Sequence, residues 1–347
     1  MKYTTYTTIL LTTLALFTTT ATLALVQQHY YPPKNIKTIV LDAGHGGHDS
    51  GAVGWTGSKE KDICLAVALK TEQAIKQLIP GVKVLQTRTT DVFVDLRRRA
   101  DFANENSGDV FVAIHCNSVD GHKMVREVVD SSERTRIVKN AYGGKDTITE
   151  MVPIYKNVKY PKDAQGMETY VWNMEHNSIK KNAMKKELAD IENAQIMLDS
   201  NYVEKYGGGV DLNSAEFMAK ASLRNKKYFQ RSQKLGELVQ EEGTQAGRNN
   251  RRVKQRGVGI WVLQATNMPS VLVETGYISH PDEEAYLQSE EGQLTMANII
   301  ATALKRYKDE IENPIAPGEP APDTQSIPSV AALLHDNEVA IGLYCEV

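Results

Sequence analysis

The feature that most restricts the fold is an alternation, early in the chain, between short β-rich apolar runs and longer amphipathic stretches. Ile36 to Leu41 is a β-rich run that ends in the glycine-dense Gly44-His45-Gly46-Gly47. Ile63 to Ile79 then spaces Ile63, Ala66, Val67, Ile75, Leu78 and Ile79 as one face of a helix, and Pro80-Gly81 terminates it. Val82 to Thr87 is expected as a strand, Leu96 to Asn106 as a helix closed by Ser107-Gly108, and Asp109 to His115 as a buried strand. Strand and helix alternating at this spacing predict a layered α/β fold with helices on both faces of a sheet.

The rhythm breaks after residue 118. Gly121 to Gln165 is polar and lacks a clear period, Thr169 to Trp172 reads as a further strand, and Ser178 to about Gln245 turns helical and charged. Strands are expected to resume at Gly259 to Leu263 and Ser270 to Glu274, and Glu290 to Lys308 reads as a closing helix. The chain therefore divides into an α/β domain at 35–311, an insertion at about 121–250 whose helical part is 178–245, and a proline-rich flexible tail at 312–347. Residues 1–26 read as a signal peptide or N-terminal anchor. Lys2 is the only charged side chain before Lys34, and Ile9 to Phe17 has the length of an apolar export core. The expected location is the periplasm or cell envelope.

Charge excludes one class of partner. Forty basic side chains against forty-three acidic ones leave a net charge of -3, without the basic surplus that nucleic-acid binding calls for. Cys64, Cys116 and Cys345 are too few and too scattered for a disulfide framework or a thiolate zinc site. Any metal is expected on histidine and carboxylate.

Three features offer such ligands, two at predicted strand ends and one at a predicted helix start. They are His45 in its glycine turn, Glu60 at the start of the helix, and His115 at the end of Val110-Phe111-Val112-Ala113-Ile114, with Asn117 two residues on. Singly, each has an ordinary structural explanation: a turn residue, a carboxylate favoured by the helix dipole, a satisfied strand-end histidine. Together they bring two histidines and one carboxylate to the same edge of one sheet. Such a set leaves zinc's fourth position open for water, as catalytic zinc sites do. A fourth feature, Glu274, ends the apolar strand Val271-Leu272-Val273. A buried carboxylate there is costly unless it is paired or used as a proton carrier.

The chain resembles the zinc-dependent N-acetylmuramoyl-L-alanine amidases of the amidase-3 type. The resemblance rests on Ile39-Val40-Leu41-Asp42-Ala43-Gly44-His45-Gly46-Gly47, Asp49-Ser50-Gly51-Ala52, Glu60-Lys61-Asp62 and Thr87-Arg88. It continues through Leu96 with Arg99, Ala103-Asn104, Ile114-His115-Cys116-Asn117-Ser118 and Pro269 to Ser279. It implies a mainly parallel sheet, one zinc ion on His45, Glu60 and His115, and Glu274 as the catalytic carboxylate. The implied reaction is hydrolysis of the peptidoglycan amide between the lactyl group of N-acetylmuramic acid and L-alanine. Arg99 and Asn117 are expected to line or brace the site. Two departures are visible, His48 and Cys116; His48 puts a second histidine beside His45, so the ligand choice between the two is open.

Some relatives that act in cell division carry a helical insertion covering the zinc site until a protein activator displaces it. Glu192-Asn193-Ala194, within Lys186 to Ala194, is similar to that self-blocking stretch, and Glu192 is the candidate inhibitory carboxylate. A solvated helix with i,i+4 charge pairs explains the same residues equally well. Two rival functions use the same chain: a zinc carboxypeptidase or endopeptidase on wall peptides, and a catalytically silent peptidoglycan-binding module.

Overall fold

A computed structural model of the protein describes residues 35–119, 123–139, 145–174, 179–182, 185, 211, 213–256 and 260–313. The leader at 1–26, the stretch around Glu192 and the tail from residue 314 lie outside the described residues. None of the described helices is long and apolar enough to cross a membrane.

The core is a six-stranded sheet of β1 (Thr38–Ala43), β2 (Lys83–Gln86), β3 (Val110–Asn117), β6 (Met167–Val171), β7 (Asn250–Gln255) and β8 (Ser270–Tyr277), in the order β2-β1-β3-β8-β6-β7. The first four strands in that order run parallel; β6 pairs antiparallel with β8, and β7 parallel with β6. Strands covered on both faces read as unbroken apolar runs, which is why β3 and β8 were legible in the sequence. All eight residues of β8 are buried.

Helices α1 (Glu60–Leu78), α3 (Ala215–Gln245) and α6 (Glu290–Glu312) cover one face, packing Val67, Ile75, Leu235, Leu238, Ile299 and Leu304 over Ile39, Leu41, Val112 and Val273. On the other face, α2 (Leu96–Glu105) and α4 (Trp261–Ala265) close Ala103, Val262 and Leu263 over Val40, Phe111 and Leu272. The short α5 (Pro281–Gln288) follows β8, and its Glu284 accepts hydrogen bonds from Thr56 and Ser58 to pin the loop before α1. Mostly parallel sheet and two helical layers agree with the sequence expectation.

Several expected elements differ. Lys123–Lys139 and Lys145–Tyr160 form a long antiparallel hairpin, β4 and β5, apart from the main sheet. Many of its apolar side chains, Met124, Val128, Ile137 and Met151 among them, are exposed. A two-stranded ribbon with no buried face imposes no clean alternation, so no period was readable. Within the span read as an insertion, β6 and the first residue of β7 belong to the main sheet, and α3 lies on it rather than apart. The run read as a strand at 259–263 enters α4 at Trp261, because a short apolar run has no intrinsic preference that separates strand from buried helix.

Candidate metal and catalytic site

The site lies where the parallel strands end, the edge at which open α/β sheets place their ligands. β1 delivers the chain into the Gly44–Gly47 turn, where His45 adopts φ 58°, a left-handed conformation uncommon outside glycine. Two arginines hold that turn. Arg88 donates to the carbonyls of Ala43, Gly44 and Lys61, at 2.9, 2.7 and 2.8 Å. Arg99, buried in an ion pair with Asp42 at 2.7 Å, donates to the carbonyls of Ala43 and His45. Arg99 thus spends its donors on backbone that positions His45: it braces.

Among the described residues, His45, Glu60 and His115 present ligand atoms that all lie within 4.8 Å of one another. Glu60 Oε1 is 3.1 Å from His45 Nε2 and 2.9 Å from His115 Nδ1, and it accepts from the Cys116 amide at 3.0 Å. Glu60 Oε2 accepts from the Ala52 amide. Burial pushes the Glu60 carboxyl up, but hydrogen bonds to His115 and His45 outweigh it and hold the group well below the ordinary carboxylate range. Burial likewise lowers His45, and its contacts with Glu60 and Asp49 reverse this to a net rise. The cluster is a deprotonated carboxylate between two imidazoles, the donor chemistry that suits zinc.

Asp49, absent from the sequence-derived set of site residues, supports His45. Its Oδ2 is 2.8 Å from His45 Nδ1, which orients the ring, and its Oδ1 accepts from the Gly51 amide. The readable signal was its place four residues after His45. His48 is not in the cluster; it packs against Phe93 with ring centroids 4.2 Å apart.

Gly44 is required by space. A Cβ built there would come within 2.6 Å of His115 Nδ1 and Nε2. Gly44→Ala is expected to displace the His115 ring and weaken zinc binding by roughly 10- to 100-fold, the range for disturbed ligand support, with the fold retained. Zinc titration with a competing chelator would measure it; wild-type affinity would show that the turn has slack.

Strand register aligns His115 on β3, Glu274 on β8 and Glu168 on β6 as one row across three neighbouring strands. Glu274 is buried at 9% exposure, and its Oε2 has no hydrogen-bond partner among the described residues. Burial pushes its carboxyl up to about 7, against the charge of His115 and with the repulsion of Glu60. Such a group holds or gives up a proton near neutral pH, which is what a general base and acid must do.

Glu168 was absent from the sequence-derived set. At 1% exposure it accepts from Arg251 Nε, Lys254 Nζ and Tyr277 Oη on Oε1, and from Tyr170 Oη and Asn117 Nδ2 on Oε2. Burial raises its pKa, but these donors bring it down to about 2. Asn117 therefore braces Glu168, and nothing places it on the metal cluster. Glu168 precedes the run Thr169 to Trp172 that was read as a strand, so its place beside that run was the available signal.

Comparison with known proteins identifies the family of the chain. Residues 39–306 match the Amidase_3 family model, N-acetylmuramoyl-L-alanine amidase. The chain is 31% identical over 278 residues to N-acetylmuramoyl-L-alanine amidase AmiC of Neisseria meningitidis, covering 78% of this chain and 52% of that protein. It is 24% identical over 277 residues to AmiA of Escherichia coli, covering 80% of this chain and 78% of that protein. Among solved structures, the amidase AmiC2 of Nostoc punctiforme aligns at 25% identity with a TM-score of 0.46, over 78% of this chain and 96% of that one. The chain spans about half the length of the AmiC relatives. It belongs to the N-acetylmuramoyl-L-alanine amidase family, of the Amidase_3 type.

Proposed function

We propose that the protein hydrolyses the peptidoglycan amide between the lactyl group of N-acetylmuramic acid and L-alanine, with one zinc held by His45, Glu60 and His115. The observation that carries the reading is the juxtaposition of that ligand cluster with a buried Glu274 on the adjacent strand, whose Oε2 has no hydrogen-bond partner among the described residues. Bound zinc would polarise the scissile carbonyl and acidify a water. Glu274 takes the proton from the attacking water, whose oxygen bonds to the lactyl carbonyl carbon. As the carbon–nitrogen bond breaks, Glu274 returns the proton to the leaving alanine amine. The products are a free lactyl carboxylate and a stem peptide with a free L-alanine amine. Asp49 keeps the His45 ring in place, and Arg88 and Arg99 keep its turn rigid.

On this reading the protein is exported by its N-terminal segment, works in the periplasm or cell envelope in wall turnover or daughter-cell separation, and comprises the catalytic domain at 35–311. We also propose that Glu192 restrains the site until a protein activator draws it away.

The test is mass analysis of peptidoglycan incubated with the purified chain, beside Glu274→Ala and Glu192→Ala, with and without chelator. Stem peptides ending in a free L-alanine amine, lost with chelator and with Glu274→Ala, are expected. Higher basal release from Glu192→Ala supports self-blocking, and unchanged release rejects it. Cleavage within the peptide would instead favour the peptidase function. No release by wild type or Glu192→Ala with zinc bound would overturn the amidase reading.

A further inference from the structure

The edge strand β7 carries more positive charge than the described residues around it neutralise. Arg251 and Lys254 both ion-pair with Glu168 Oε1, at 2.7 and 2.6 Å, yet their side chains remain 39% and 37% exposed. Arg256, just past the strand, is exposed, and its guanidinium lies 5.7 Å from the Tyr170 ring centre. Arg251 lies 5.0 Å from the Tyr277 ring centre. Among the described residues, three cations therefore stand against one ionised carboxylate, and Tyr170 and Tyr277 already add their hydroxyls to that carboxylate. Arg252 at φ 72° interrupts the alternation of the strand, so that Arg251 and Lys254 both reach Glu168 although three positions apart.

This cationic edge borders the candidate reaction centre. Glu168 sits beside Glu274 across the β6–β8 pairing, and the charge of Arg256 acts on Glu274. β7 lies two strands from β8, which at the usual strand spacing is about 10 Å. Long arginine and lysine arms shorten that gap to the length of one or two peptide residues. A merely structural counter-charge for Glu168 would call for one cation, held dry.

We propose that Arg251, Lys254 and Arg256 form a subsite for a free carboxylate on the residue that follows the alanine in the peptide being released. Glu168 is the positioning residue that fixes the two inner cations. The inference rests on the amidase reading for what occupies the centre. It adds a preference for acidic over amidated stem peptides.

The experiment compares an L-alanyl peptide with a free α-carboxylate on its second residue with the same peptide as the carboxamide. Each is measured twice with the zinc-loaded full chain: calorimetric binding of the free peptide, and hydrolysis of its N-acetylmuramoyl form. Wild type is expected to favour the acid roughly five- to tenfold in Kd and KM, with kcat little changed, as for one charge-assisted contact near the surface. Arg256→Gln, whose guanidinium makes no ion pair among the described residues, and Lys254→Gln are each expected to cut that preference to about twofold or less, whereas Lys305→Gln on α6 leaves it intact. Equal binding of acid and amide by wild type, or a preference that survives both Arg256→Gln and Lys254→Gln, would overturn the subsite. Acid-selective binding that depends on Arg256, without hydrolysis of either substrate, would keep the subsite and reject the amidase reading.

Discussion

Glu274→Gln is expected to lower hydrolysis by roughly 10²- to 10⁴-fold while making the metal-free protein more stable at pH 8. The first effect is the usual size of a lost proton-transfer residue. The second follows from the position of the carboxyl, 9% exposed with one oxygen unpartnered, which burial pushes up from the ordinary 4.5 to about 7. A carboxyl that binds its proton more tightly in the folded chain favours folding at low pH. As pH rises through 4.5 the unfolded chain ionises first, and the folded state loses stability until both are ionised above about 7. The full penalty is about 3 kcal/mol, and glutamine, the neutral isostere, avoids it. Denaturant unfolding of chelator-treated wild type and variant should show the variant ahead at pH 8 by about 2–3 kcal/mol. The gap should close below pH 4.5. A variant no more stable at pH 8 than at pH 4, relative to wild type, would mean that Glu274 is not held at a cost in the folded protein. Zinc binding should persist in the variant, because the ligand cluster excludes Glu274.

His45→Ala and His48→Ala are expected to separate completely. His45 Nε2 lies 3.1 Å from Glu60 and belongs to the cluster, whereas His48 packs on Phe93. Loss of His45 removes one of the three proposed ligands and leaves Glu60 and His115 too few donors for a catalytic zinc site. We expect stoichiometric zinc to disappear on dialysis and activity to fall by at least about 10³-fold, since several kcal/mol of charge stabilisation go with the metal. His48→Ala should retain one zinc per chain and activity within about twofold. Metal analysis of both dialysed proteins checks this directly. Retained zinc in the His45 variant, or its loss in the His48 variant, would reassign the ligand and with it the role of Asp49, whose contact is to His45.

Local chemistry determined much of this protein before any fold was known. The unbroken apolar runs at β1, β3 and β8, the glycine turn after β1 and the amphipathic period of α1 are all short-range signals, imposed by burial on both faces or by sterics within a few residues. Since His45, Glu60, His115 and Glu274 sit at the ends or starts of those same elements, their types and positions were readable too. Tertiary structure alone decided which of them meet, and by which atoms: Glu60 between two imidazoles, Glu274 one strand from His115, His48 turned away onto Phe93. It also decided the two reversed strands of the sheet, β6 and β7. Glu168, Arg251, Lys254 and Tyr277 are separated by up to 109 positions and converge only because β6 enters antiparallel beside β8 with β7 outside it. A polar edge strand such as Asn-Arg-Arg-Val-Lys-Gln has no apolar period to announce it. Its pairing is fixed by open hydrogen bonds on a neighbouring strand, and its charges acquire meaning from a carboxylate that the chain brings to them from far away.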